Sequence, residues 1–167
     1  ADASNEESVK ALSEDFISRM GKVDILVNSQ GLNKKFSALE HPVEEWDAMF
    51  AANCRSIMLT CEYFGRYMVE QKYGRIINVS SIGAVRTKPT DISVCYGATK
   101  GAVDAYSLNL AAGWAQYGIT VNCIGPIMTE TEMMKPIFAR NPDLRDGTAA
   151  RVPMGRIGLP EDCANIA

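Results

Sequence analysis

Tyr96 and Lys100 stand four residues apart in the stretch Tyr96-Gly97-Ala98-Thr99-Lys100, which opens a long, alanine-rich helical pattern. Residues at that separation share a helix face, so a phenol and an ammonium can project into one space. Ser80 and Ser81 follow an apolar run of strand length, Arg75-Ile76-Ile77-Asn78-Val79, and a polar loop with Pro89 and Asp91 joins them to the helix. A hydroxyl, a phenol and an ammonium converging at a strand end make a proton-transfer site. A free phenol titrates near about 10, and a neighbouring ammonium favours the phenolate, drawing it toward neutral-pH acid–base work. The spacing alone is weak. With six tyrosines and eight lysines in 167 positions, about 0.3 such pairs arise by chance, so the context must carry the argument.

The elements that position these groups can be read in order. From Glu6 to Met20, Val9, Leu12, Phe16 and Ile17 recur at helical spacing, and Gly21 supplies a stop. Residues 23–28 form a short apolar run suited to a parallel strand, ending in the turn-forming Asn28-Ser29-Gln30-Gly31. Pro42, Glu44 and Glu45 mark a helix start. That pattern continues to about Gln71, which is long for one helix, and a break is expected near Ala52–Asn53. A second strand spans residues 75–80, a small-residue helix runs from Tyr96 to about Tyr117, and a third strand spans residues 119–124. Gly125-Pro126 breaks it. A polar, helix-like segment with Met133 and Met134 follows, then the loop RVPMGRIGLP, and Pro160 with Glu161 and Asp162 begins another helix. Strands alternating with helices predict parallel crossovers and an α/β fold with a doubly wound parallel sheet. Ligands of such sheets lie beyond the strands' carboxyl ends, where residues 28–31, Ser80, Ser81 and residues 126–131 all fall.

Composition narrows the function classes. A net charge of −3 argues against nucleic-acid and anionic-membrane partners. No apolar run approaches the roughly 18–20 residues that span a bilayer. The start ADASNEESVK is too polar for a signal peptide, and five cysteines without a CxxC spacing suit a reducing compartment, so a cytoplasmic location is expected. One histidine and scattered cysteines give no support for a metal site. His41 reads as a loop residue before Pro42. Lys34, Lys35 and Arg86 read as solvated loop charges rather than contacts to an acidic substrate.

Taken together, the Asn28-Ser29-Gln30-Gly31 turn, Asn53 in MFAANCRS, Ser81 in NVSSIG, Tyr96-Gly97-Ala98-Thr99-Lys100 and NCIGPIMTETEM resemble the classical short-chain dehydrogenase/reductase family over essentially the whole chain. The resemblance implies a Rossmann-like fold, an NAD or NADP cofactor and a catalytic tetrad of Asn53, Ser81, Tyr96 and Lys100. Tyr96 exchanges a proton with the substrate oxygen while the nicotinamide exchanges hydride with its carbon. Ser81 holds that oxygen, Ser80 being the strand-end and capping residue, and Asn53 anchors a water that links Lys100 to solvent. Cofactor contacts implied in the same way are Asp2 near the adenine, Asn28 and Gly31, Tyr96, Lys100 to the ribose, and Pro126, Thr129 and Thr131 around the nicotinamide and pyrophosphate.

Three departures stand out. The family turn is usually Asn-Asn-Ala-Gly, whereas Gln30 here brings a bulkier side chain. Pro126 is followed by Ile127 instead of glycine, and no GxxxGxG turn occurs. Residues 1–167 are therefore expected to form a single truncated NAD(P)-binding domain, incomplete at both ends and inactive by itself. The expected activity of the intact enzyme is interconversion of a secondary alcohol and a ketone, the helix and preceding loop looking like those of sugar, polyol or sugar-acid dehydrogenases. Two alternatives stay open: an epimerase or dehydratase of the related extended group, and a non-catalytic scaffold. The small residues at Gly97, Gly101, Ala105 and Ala112, with Tyr63, Phe64 and Tyr67, lead to an expected homodimer or homotetramer.

Overall fold

The computed structural model describes residues 1–86 and 92–167, so Pro89 and Asp91 of the expected loop lie outside the described residues. Helix α1 (Glu6–Met20) begins where Asn5 accepts a hydrogen bond from the Ser8 amide, with Glu6 and Glu7 favourably placed against the helix dipole. It ends at Gly21, whose φ of 77° is the left-handed cap that glycine adopts without penalty. Strand β1 covers Ile25–Asn28, shorter than the expected 23–28. Helix α2 (Val43–Phe50) follows Pro42 as expected.

The expected break at Ala52–Asn53 is instead a change of helical register. Residues Ala51–Arg55 form a π-turn, in which the Ser56 amide bonds to Ala51 O, and α3 (Ser56–Gln71) continues from it. A π-turn inserts one residue into the helical repeat, so the helix stays continuous while its facing residues shift. Strand β2 (Gly74–Val79), helix α4 (Val94–Trp114) with a 3₁₀ finish at Ala115–Tyr117, and strand β3 (Ile119–Ile124) complete the alternation. Helices α5 (Lys135–Arg140), α6 (Pro142–Ala149) and α7 (Pro160–Ala164) follow. The sequence reading missed α6. Its start signal is present: Asn141 accepts a hydrogen bond from the Leu144 amide, and Pro142 occupies the first helical position.

Among the described residues the three strands are parallel in the order β1-β2-β3, with Asn28 beside Asn78 and Asn78 beside Cys123. This is the expected Rossmann-like arrangement of a parallel sheet flanked by helices. Ile57, Phe64 and Met68 of α3 and Val103 of α4 pack with Ile76, Ile119 and Val121 of the sheet. On the opposite face Ile25 and Val27 are 60% and 51% exposed. Between sheet and helices runs a buried polar ladder. Thr60 Oγ1 donates to Asn28 Oδ1, Asn28 Nδ2 to Asn78 Oδ1, and Asn78 Nδ2 to Ser107 Oγ, each at 2.8 Å. A one-residue slip of either strand would orphan these amides, so the ladder pins the register.

Two assumptions behind the expected oligomer need correction. Tyr63 and Phe64 are spent inside the chain, Tyr63 with Val9 and Leu59 and Phe64 in the main core, while Tyr67 packs against that core. Gly97 and Gly101 face the backbone of the 3₁₀ turn at Ile82–Ala84 rather than an open surface.

Gly118, at φ 73°, leaves no room for a side chain, since a Cβ there would lie 2.6 Å from Lys72 O. Gly118→Ala should lower stability in chemical denaturation by more than the roughly 1–2 kcal/mol that left-handed backbone alone costs. Gly113→Ala, in α4 with nothing within 4 Å of the new methyl, should instead raise it by roughly 0.5–1 kcal/mol.

Candidate active site

The carboxyl ends of the strands place the expected residues around one buried ammonium. Lys100 is only 3% exposed, and its Nζ donates to Val79 O at 2.7 Å and lies 5.8 Å from the centre of the Tyr96 ring. Gly31 forms one wall. A Cβ there would lie 3.6 Å from Lys100 Nζ and 3.2 Å from Asn53 Oδ1, so glycine allows the backbone to approach both groups. The π-turn delivers Asn53 fully buried. Its Oδ1 accepts from Leu32 N–H at 2.6 Å, and its Nδ2 donates to Leu32 O at 2.9 Å and to Thr99 Oγ1 at 2.8 Å. Both amide N–H groups and one acceptor lobe are thus committed to protein.

The capping duty expected of Ser80 falls to its neighbour. Ser81, not Ser80, is the cap: its Oγ accepts from the Gly83 amide at 3.1 Å at the start of the 3₁₀ turn. Having accepted one bond, that hydroxyl still has its own proton to donate. Ser80 is buried, and its Oγ donates to Lys100 O. Gly83 brings the turn against the phenol, for a Cβ on it would lie 3.8 Å from the Tyr96 ring. Gly97 allows the same approach from the helix, its Cβ position lying 3.1 Å from Gly83 O. Leu32, Gly83 and Thr99 were not singled out from sequence. Thr99 alone had a legible signal, a hydroxyl three residues after Tyr96 on a helix.

The remaining expected contacts are more dispersed. The Asn28 side chain is spent in the core, with its Nδ2 on Asn78 and Cys61 and its Oδ1 on Thr60, leaving only backbone toward the sheet edge. Gln30 turns back to Ser56 Oγ. Pro126 O accepts from the Ile82 amide, tying the segment after β3 to the Ser81 turn. Thr129 Oγ1 donates to Ile127 O, Thr129 pairs with Gly158, and the Thr131 amide bonds Thr129 O. Asp2 sits at the head of α1, where the Ser4 hydroxyl and amide hold its exposed carboxyl below the ordinary carboxylate range. Lys34 pairs with Glu45 at 2.7 Å, and His41 bonds Pro42 O beside the Phe36 and Trp46 rings.

The fold and site define a Rossmann-like α/β domain with a polar cluster at the carboxyl edge of its parallel sheet. A family model described as Enoyl-(Acyl carrier protein) reductase matches residues 1–167. The 3-oxoacyl-[acyl-carrier-protein] reductase FabG of Chlamydia trachomatis is 31% identical over 166 residues, covering 99% of this chain and 65% of that protein. A gluconate 5-dehydrogenase from Burkholderia cenocepacia, solved in complex with NADP and tartrate, superposes with a TM-score of 0.91 at 28% identity, covering 99% of this chain and 64% of that one. ElxO with NADP bound superposes with a TM-score of 0.92 at 25% identity, covering 99% and 66%. The chain belongs to the classical short-chain dehydrogenase/reductase family, and it spans less than two thirds of the length of the curated FabG relative.

Burial disfavours the Lys100 ammonium and lowers its pKa, an effect partly offset by Cys54, Asp104 and Cys123 nearby. A cation whose folded pKa lies below its unfolded value binds fewer protons folded than unfolded between the two. Stability therefore rises as pH climbs through the folded pKa toward the ordinary lysine range. Lys100→Met removes that dependence. In thermal unfolding between pH 7 and pH 10, the parent should gain on the variant as pH rises; a gap that stays constant or moves toward the variant contradicts the buried-ammonium reading.

Proposed function

We propose that the full-length protein is an NAD(P)-dependent oxidoreductase that interconverts a secondary alcohol and a ketone, with Tyr96 as its acid–base. The observation that carries this reading is the buried Lys100 ammonium beside the Tyr96 ring, at the sheet edge where Asn53, Gly31 and the Ser81 turn also meet. Short-chain relatives solved with NADP support the cofactor.

When bound, the nicotinamide supplies or accepts the hydride; the chain's own residues manage the proton. The Tyr96 hydroxyl gives a proton to the carbonyl oxygen in reduction, or takes one from the alcohol in oxidation. Lys100 sets its ammonium beside the Tyr96 ring and offers it to the ribose. Ser81, with its own proton still to donate, hydrogen-bonds the substrate oxygen and holds it toward Tyr96. Asn53, its side chain committed to Leu32 and Thr99, contributes to a proton path through its backbone. Gly31, Pro126, Thr129 and Thr131 line the cofactor, Asn28 supports it from below through backbone, and Asp2 approaches the adenine.

The substrate is a small ketone or alcohol. Relatives named for 3-oxoacyl and gluconate chemistry support a carbonyl or alcohol substrate, and a sugar, polyol or sugar acid is the class favoured here. The assembly is a homodimer or homotetramer through α3 and α4, whose outer groove is lined by Met58, Glu62, Arg66, Tyr106 and Trp114 and has a volume of about 490 Å³.

In the full-length protein, with NADPH or NADH and either acetoacetyl-CoA or 5-ketogluconate as probe, Tyr96→Phe should reduce kcat by about 10²–10⁴-fold while leaving cofactor affinity nearly unchanged. Retention of more than a tenth of parental kcat would overturn the assignment. Ser81→Ala should lower kcat far more than Ser80→Ala, and the reverse ranking would move the substrate contact to Ser80. Sedimentation of the full-length protein at micromolar concentration should show a dimer or tetramer; a monomer rejects the α3–α4 interface.

A further inference from the structure

Thr99 has no solvent exposure, so its hydroxyl depends on partners inside the protein. It has two. The O–H donates to Tyr96 O at 2.8 Å, and the oxygen accepts from Asn53 Nδ2 at 2.8 Å. The first bond returns to the carbonyl three residues earlier, a local pairing that threonine makes readily within helices. Once the proton is committed there, a lone pair is left to face Asn53. The second bond crosses 46 residues of sequence and joins the first turns of α4 to the π-turn. A second strap runs beside it, from Cys54 Sγ to Thr99 O.

We propose that Thr99 is a positioning residue for Tyr96 and Lys100: its hydroxyl fixes the orientation of the Asn53 amide, which in turn clamps Gly31-Leu32 against the Lys100 ammonium. The proposal rests on the oxidoreductase reading. The linkage is continuous. Asn53 holds both the N–H and the C=O of Leu32, and the preceding Gly31 has its Cβ position 3.6 Å from Lys100 Nζ. Without the hydroxyl, one N–H of the Asn53 amide is buried without an acceptor. The amide then turns toward another acceptor and loosens its hold on Leu32, and the wall beside Lys100 shifts with it. Thr99 touches neither substrate nor cofactor in this account; it acts through Asn53.

The test uses the full-length protein, acetoacetyl-CoA or 5-ketogluconate as probe, and three substitutions. Thr99→Val keeps the shape and removes the hydroxyl, Thr99→Ser keeps the hydroxyl and removes the methyl, and Tyr96→Phe is the reference. Thr99→Val should lower kcat roughly tenfold, within the range that misplacement of a reacting group produces. Its KM for probe and cofactor should stay within about twofold of the parent, and the pH profile of kcat should be displaced. Thr99→Ser should restore both kcat and profile. Parental kcat and pH profile in Thr99→Val, or equal impairment of Thr99→Ser, overturns the proposal. If Thr99→Val does not fold, Thr99→Ala is read in the same way. Failure of both to fold makes the hydroxyl a folding element and also overturns the proposal. Turnover that survives Tyr96→Phe sinks the acid–base assignment of Tyr96 on which the proposal rests, whereas turnover lost in Tyr96→Phe but unchanged in Thr99→Val sinks only the role of Thr99.

Discussion

An ammonium kept almost wholly out of water is the constraint on which the site depends. Lys100 lies on α4, yet its charge is held by Val79 O from a strand and bounded by Gly31 from a turn. Burial of a cation is unfavourable unless nearby dipoles and charges compensate for lost water. Val79 O supplies the direct hydrogen bond, and Cys54, Asp104 and Cys123 oppose the depression of the pKa. The geometry that satisfies Lys100 also brings α4, the end of β2 and the turn after β1 into register. A site built in this way cannot be loosened at one element without disturbing the others.

The π-turn and the polar ladder are the two devices that hold those elements. The π-turn at Ala51–Arg55 carries Asn53 inward to a place where its amide meets Leu32 and Thr99. Below it, Thr60, Asn28, Asn78 and Ser107 link α3, β1, β2 and α4 through one buried chain of hydrogen bonds. Each member of the ladder has its partner, so the low dielectric strengthens the chain rather than penalising it. Around these polar cores, Ile57, Phe64, Met68, Ile76, Val103 and Ile119 provide the apolar burial that stabilises the layer.

Glycines set the distances. Gly83 and Gly97 let the 3₁₀ turn and the start of α4 approach within backbone contact, which carries Ser81 to the side of the Tyr96 ring. Gly65 performs a similar service away from the site, since a Cβ there would run into the Trp114 ring. The approach of α3 to the end of α4 therefore depends on one missing methyl group.

Sequence by itself determined the alternation of elements, because helical spacing and short apolar runs are local patterns that the chain displays openly. It also brought Tyr96, Lys100 and the serine pair together as a candidate site, through their spacing against strand and helix ends; Asn53 and the choice of Ser81 came from the resemblance to the family pattern. Helix α6 was legible too, through Asn141 and Pro142, but its polar composition hid the signal. Tertiary structure alone decided which serine caps the 3₁₀ turn, that Asn28 faces the core instead of the sheet edge, and that Tyr63 and Phe64 are internal. It also turned an expected helix break into a π-turn. For the two buried asparagines the deciding partner lies far along the chain: Asn78 is 50 residues from Asn28, and Thr99 is 46 from Asn53. Local propensity fixes what an element is. Which of its polar atoms face solvent, and which are spent inside, depends on partners that only packing brings within hydrogen-bond range.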